Sequence, residues 1–196
     1  MRVFVAGASG VIGMRLVPLL VAAGHVAAGM TRSAEKAPSL RALGAEPVVC
    51  DVYEAEALRE AVVAFAPDVV RHELTDLPDD EQLIGELAAA NVRMRREGTA
   101  NLLAAAGAAG ARRILAQSIA WDVDGERGAA KDELERSVLA AGGVVLRYGR
   151  FYGPGTYYVH DPPPPPRVHV DAAARRTVEL LSAESGVVTI SEDEVA

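Results

Sequence analysis

The feature that most constrains this chain is a spacing. Gly7, Gly10 and Gly13 stand three residues apart, directly after the apolar run Val3-Phe4-Val5-Ala6. Read physically, this is a buried strand, a tight turn and a helix start. Gly7 permits the turn, Gly10 lets a backbone approach a phosphate, and Gly13 lets the helix lie close on the strand. Amides exposed at such a helix start favour an anion such as a pyrophosphate, and Ser9, Val11 and Ile12 complete the loop that would hold it. The spacing departs from the commoner G-x-G-x-x-G, so the reading rests on context: a strand before and an amphipathic segment after.

The rest of the chain repeats that alternation. Val3–Ala6, His25–Thr31, Pro47–Cys50, Asp68–His72, Arg113–Gln117 and Val144–Tyr148 read as strands. Ile12–Ala23, Ser33–Leu43, Glu54–Phe65, Glu81–Ala106 and Lys131–Ala140 read as helices, the fourth with a bend near Gly98. Alternation of this kind predicts an α/β fold: a doubly wound parallel sheet in the order 3-2-1-4-5-6, with helices on both faces. At 196 residues the chain is long enough for one sizeable core, and it is expected to form a single dinucleotide-binding domain over residues 1–196. After Tyr148 the character changes. The proline run Pro162 to Pro166 excludes an interior strand or helix and predicts a stiff extended spacer. A short strand at Arg167–Val170, a helix Asp171–Leu181 capped by Asp171, and a last strand Val187–Ile190 are expected beyond it. The acidic end Glu192-Asp193-Glu194 reads as solvated.

A formal net charge of −7 argues against nucleic acid as a general partner, because phosphate neutralisation needs clustered Lys and Arg. The densest basic group, Arg93, Arg95 and Arg96, reads as a solvated helix face. The one cysteine, Cys50, excludes an internal disulfide and reads as a buried structural thiol. No apolar stretch approaches the ~18 residues of a membrane span, and the chain opens directly on strand and turn, so a cytoplasmic protein is expected.

The cofactor reading sharpens at the second strand. An acid about 20 residues after the glycines would grip the ribose hydroxyls of NAD. Thr31-Arg32-Ser33 stands there instead, with Lys36 one helical turn on. Arg32 and Lys36 would pair with a 2′-phosphate, so the sequence favours NADP and leaves NAD open. Asp51, with Val52, follows the third strand; its carboxylate would either accept from an adenine amino group or cap the next helix.

Further runs then fall in order: Asp51-Val52; Pro67-Asp68-Val69-Val70-Arg71-His72; Asn91 with Gly98-Thr99-Ala100-Asn101-Leu102-Leu103; Leu146-Arg147-Tyr148-Gly149-Arg150-Phe151-Tyr152-Gly153-Pro154-Gly155; and Val168-His169-Val170-Asp171. Together with the glycine loop, they resemble the extended short-chain dehydrogenase/reductase superfamily, the NAD-dependent epimerase/dehydratase group, over essentially the whole chain. The resemblance implies a nicotinamide dinucleotide, a small-molecule substrate, and a catalytic set of Tyr, a Lys four residues later, and a Ser or Thr. Lys131 fits the lysine, with Glu135 four residues on, and Ser118 is the nearest hydroxyl. The tyrosine position is Arg127, and no tyrosine occurs between Tyr53 and Tyr148. Arginine stays protonated, so it polarises but does not shuttle a proton; water or Tyr152 is left as acid/base.

The resemblance also implies a substrate lobe larger than this chain has. Residues 149–196 form a shortened version, with only Thr156–Arg167 where a long insertion is usual, and a wide site is expected. Helices from two subunits would suffice for a homodimer interface. Two readings stand side by side: an NADP-dependent oxidoreductase of atypical pattern, acting on a small carbonyl, alcohol or sugar-like substrate, and a dinucleotide-binding sensor that does no chemistry.

Overall fold

The computed structural model describes residues 1–192. Seven parallel strands form one sheet in the order β3-β2-β1-β4-β5-β6-β9: β1 (Arg2–Ala6), β2 (Val26–Thr31), β3 (Glu46–Val49), β4 (Val69–His72), β5 (Arg113–Ile119), β6 (Val144–Tyr148) and β9 (Gly186–Ile190). The first six follow the expected doubly wound order, and the late strand extends the sheet beyond β6, with Val144 opposite Gly186 and Tyr148 opposite Ile190. Two short strands, β7 (Arg150–Tyr152) and β8 (Arg167–His169), pair separately.

Side-chain alternation divides the core between the two faces. Val3 and Val5 of β1 pack with Leu16 and Leu20 of α1 (Gly13–Ala22) and with Ala173 of α7 (Val170–Glu179). Phe4 and Ala6 point the other way, toward Leu58 and Val62 of α3 (Ala55–Phe65), Leu102 of α5 (Thr99–Ala108) and Leu134 of α6 (Gly125–Ala140). Both faces are covered, which is why the strands are continuous apolar runs.

Several expectations are corrected. The helix expected over Ser33–Leu43 is a single turn of 3₁₀ helix followed by the short α2 (Ala37–Ala42). Glu81–Ala106 is not one helix. A 3₁₀ turn at Glu81–Leu83 precedes α4 (Ala88–Arg93), and a π-helical turn at Met94–Gly98 joins α4 to α5. The helix expected to begin at Lys131 starts at Gly125, and Gly128 lies within it, packed so closely that any Cβ there would collide with the carbonyl of Val123. Asp171 does not cap α7. The cap is His169, whose Nδ1 accepts from the Asp171 amide, while the Asp171 carboxylate binds Arg15 Nε at 2.6 Å. Glu192 is engaged, not merely solvated, accepting from the Tyr152 hydroxyl and the His169 amide; Asp193 and Glu194 lie outside the described residues.

Candidate active site

The C-terminal ends of β1, β2, β4, β5 and β6 open into one cleft of about 730 Å³, at the point where the strand order reverses between β1 and β4. The glycine loop forms its floor. Gly7 has φ +89°, and a Cβ there would lie 2.7 Å from the Glu73 carbonyl, so the loop after β4 sits directly against the loop after β1. Gly13 packs the start of α1 onto Ala8, where a Cβ would come within 2.7 Å of backbone. Gly10 differs: it is exposed to the cleft, and the nearest atom a Cβ would meet is the Gly7 carbonyl at 3.3 Å. Ser9 Oγ donates to Thr31 Oγ1 at 3.0 Å, tying the loop to the end of β2.

Gly7, Ser9, Gly10, Val11 and Ile12 line the cleft, as do Arg32 and Lys36 after β2 and Asp51 and Val52 after β3. Gly13 lies behind them, buried. The Arg32 side chain is exposed, and its Nη2 donates to Asp76 Oδ1 at 3.0 Å. Asp51 does not cap α3: Oδ1 accepts the Tyr53 amide at 3.0 Å, while the residue preceding α3 is Glu54. Val52 is held by its carbonyl, which accepts from Asn101 Nδ2 at 3.0 Å. Cys50 is not fully buried. It is half-exposed on the cleft wall, and burial together with nearby Asp51 and Glu54 pushes its thiol up, away from the thiolate form.

At the other end of the cleft stand Ser118, Ile119, Trp121, Arg127, Arg150 and Phe151. The expected catalytic pair is drawn together, but by a third residue. Glu135 Oε1 accepts from Ser118 Oγ at 2.5 Å and lies 3.7 Å from Lys131 Nζ, while Arg147 holds both of its oxygens at 3.0 and 2.5 Å. Burial alone would raise the Glu135 carboxyl; the bonds from Arg147 and Ser118 and the charge of Lys131 outweigh it and hold it below the ordinary carboxylate range. Lys131 is buried and turned to this hub, and it is not part of the cleft wall; Arg127, one helical turn earlier, is. Tyr152 is not a cleft residue either. Its hydroxyl is bound to Glu192 at 2.6 Å, and that bond raises its pKa.

Sequence reasoning missed a buried polar chain behind the cleft. Arg71 and Glu73 form an ion pair with both side chains fully buried, Arg71 Nη2 also donates to the Tyr148 hydroxyl at 3.2 Å, and that hydroxyl meets Thr177 Oγ1 at 2.6 Å. The signal was present as three polar residues, Arg71-His72-Glu73, ending an apolar strand run. Arg95 was also misread. Arg93 and Arg96 pair with Glu97, Glu126 and Glu133 on the outside, but Arg95 turns inward to the cleft, because the π turn rotates it off the outer face. The mouth, expected to be wide, is bridged. The Tyr157 hydroxyl bonds the Pro78 carbonyl, and the Tyr158 hydroxyl bonds Glu81.

Comparison with known proteins agrees with this geometry. Residues 7–147 match a family model described as NAD(P)H-binding. The chain is 37% identical, over 239 aligned positions, to a 3-diazoavenalumate denitrifying reductase of Streptomyces sp, covering 100% of this chain and 77% of that protein. A 4-hydroxy-2-methyl-3-oxo-4-farnesyl-3,4-dihydroquinoline-1-oxide ketoreductase of Stigmatella aurantiaca is 36% identical over 115 residues, 59% of this chain and 32% of that protein. Among solved structures, a UDP-glucose 4-epimerase of Thermus thermophilus in complex with NAD superposes with a TM-score of 0.82 at 20% identity, over 99% of this chain and 78% of that one. The UDP-glucose 4-epimerase of Thermotoga maritima superposes with a TM-score of 0.80 at 17% identity, over 97% of this chain and 77% of that one. By its glycine loop, strand order and sequence, the chain belongs to the NAD(P)H-binding family.

Proposed function

We propose that the protein is an NADP-dependent reductase whose hydride acceptor needs no proton from a tyrosine. The observation that carries this reading is the composition of one cleft. The glycine loop, Arg32 and Lys36 line one end, and Ser118 and Arg127 line the other, with a guanidinium where the superfamily places its phenol. The site fits the dinucleotide, because a side chain at Gly10 would occupy cleft space beside the loop amides, and Arg32 and Lys36 on the cleft wall after β2 support a 2′-phosphate there. When bound, the reduced nicotinamide supplies a hydride.

The protein's own part follows from the residues. Arg32 exchanges its bond to Asp76 for the phosphate, and Lys36 adds a second charge. Asp51 accepts from the adenine amino group. Lys131 and Arg147 keep Glu135 ionised, so Ser118 stays donated into Glu135 and offers lone pairs, not its proton, to the cleft. A carbonyl acceptor would then draw its proton from water, and loss of a positioned acid typically lowers the rate by about 10²–10⁴-fold. An acceptor that takes hydride and expels a leaving group, as an aryl diazonium gains hydride and loses N₂, needs no proton at all. The 37% identical relative named for denitrifying a diazo acid supports that second class.

Single-turnover oxidation of bound NADPH, against small carbonyls and an aryl diazonium salt, tests the reading. Turnover is expected to be weak with carbonyls and faster with the diazonium than in an enzyme-free control. Arg32→Asp should weaken NADPH binding by about tenfold or more while leaving NADH nearly unchanged. Tight NADPH binding with no turnover of any acceptor would overturn the reductase reading in favour of a sensor.

A further inference from the structure

Three guanidinium groups converge on the Ser118 end of the cleft: Arg95 from the π turn, Arg127 from α6 and Arg150 from β7. Among the described residues none of them has a carboxylate partner in an ion pair. Arg95 is half-buried and gives a bond from Nη1 to the Arg127 carbonyl at 3.3 Å, which leaves the remaining donors of its fork unspent. Arg127 has no described side-chain bond, and Arg150 gives Nη1 to the Pro165 carbonyl at 3.3 Å. Among the described residues Arg2, Arg41, Arg113, Arg136 and Arg175 also lack a carboxylate partner, but none of these lines the cleft. Most of the other arginines are neutralised. Arg15, Arg32, Arg59, Arg71, Arg93, Arg96, Arg147 and Arg176 all have carboxylates.

The local acids do not supply the missing charge. Glu135 attracts Arg95 from below, but its oxygens are taken by Arg147 and Ser118. Glu73 is paired with Arg71, and Glu81 takes the Tyr158 hydroxyl. Burial, then the neighbouring charge of Arg127, push the Arg95 guanidinium below its ordinary value against a smaller pull from Glu135, so two like charges are held close with incomplete compensation. Beside them the wall is aromatic: Trp121, with the Arg150 guanidinium 4.6 Å from its ring centre, and Phe151.

We propose that this end of the cleft takes an anionic substrate, whose carboxylate is gripped by Arg95 and Arg127 and whose flat apolar body lies against Trp121 and Phe151. Arginine suits this role because its planar fork matches a carboxylate and it stays charged. Arg32 and Lys36 follow β2, whereas Arg95, Arg127 and Arg150 stand on the π turn, α6 and β7, so the dinucleotide and the anion would use different cations. The inference rests on the reading of this cleft as a reductase site and adds the charge class of its substrate.

The test is binding of 3-phenylpropanoate and of its neutral amide to the protein saturated with NADP⁺, followed by calorimetry and by the fluorescence of Trp121, the chain's one tryptophan. The acid should bind about tenfold or more tightly than the amide, with a change in Trp121 emission, and the preference should shrink as salt is raised. Arg127→Gln and Arg95→Gln should each remove most of the preference, and Arg127→Lys should keep much of it. Equal binding of acid and amide, binding of neither, displacement of the acid by NADP⁺, or a preference untouched by both Gln variants would overturn the proposal. The reductase reading fails separately, by absence of NADPH oxidation. Turnover without any acid preference leaves that reading standing and sinks this one.

Discussion

At the scale of single residues, Gly10 and His72 make opposite demands on their surroundings. Gly10 keeps space open, and a Cβ there meets only the Gly7 carbonyl at 3.3 Å, so Gly10→Val should fold and yet fill the space beside the loop amides. Calorimetry is expected to show no dinucleotide binding in that variant; unchanged NADPH affinity would place the cofactor elsewhere. His72 is buried, with Nε2 2.9 Å from Thr99 Oγ1 and Nδ1 accepting the Leu74 amide. Burial, then the charges of Arg71 and Arg95, lower its pKa from 6.5 to about 4. The unfolded chain therefore binds this proton more readily than the folded one. Stability from His72 is complete above about pH 6.5 and falls as the pH drops toward 4, by up to about 3 kcal/mol. Urea midpoints measured across that window should decline in the parent protein and decline less in His72→Gln. Neither role was legible in the same degree. The glycine spacing advertised the loop, whereas a histidine at the end of an apolar run looks alike whether it is buried and neutral or exposed and charged.

At the scale of elements, strands β4 and β6 do more than complete the sheet. Arg71 on β4 reaches Tyr148 on β6 and, through that hydroxyl, Thr177 on α7. Removing one partner of a buried ion pair strands the other charge, and Glu73→Gln should destabilise the fold by about 3–5 kcal/mol. Arg71→Met with Glu73→Leu should recover much of that loss in urea unfolding; equal stability of Glu73→Gln and the parent would show that no uncompensated charge is left behind and that the pair is not ionised. The strands themselves were legible because two-sided burial leaves long apolar runs. The helices were less so. The helix expected from Lys131 begins at Gly125, and Gly128 lies inside α6 where an added Cβ would collide with the Val123 carbonyl. That contact is tertiary, so no local pattern announces it. The same holds for Arg95, whose inward turn depends on the π turn at Met94–Gly98.

At the scale of the whole molecule, the order of strands in space differs from their order in time. β1 lies between β2 and β4, and Val3 pairs with both Ala27 and Val69. No other pair of neighbours in the sheet is separated by so much intervening chain. On a ribosome adding about 5–20 residues per second, β1 would wait roughly 3 to 13 s after its own synthesis before β4 exists to cover its second edge. The glycine loop inherits that delay, since Gly7 rests on the Glu73 backbone. Until β4 arrives the apolar edge of β1 is open to any chaperone or stray strand that reaches it.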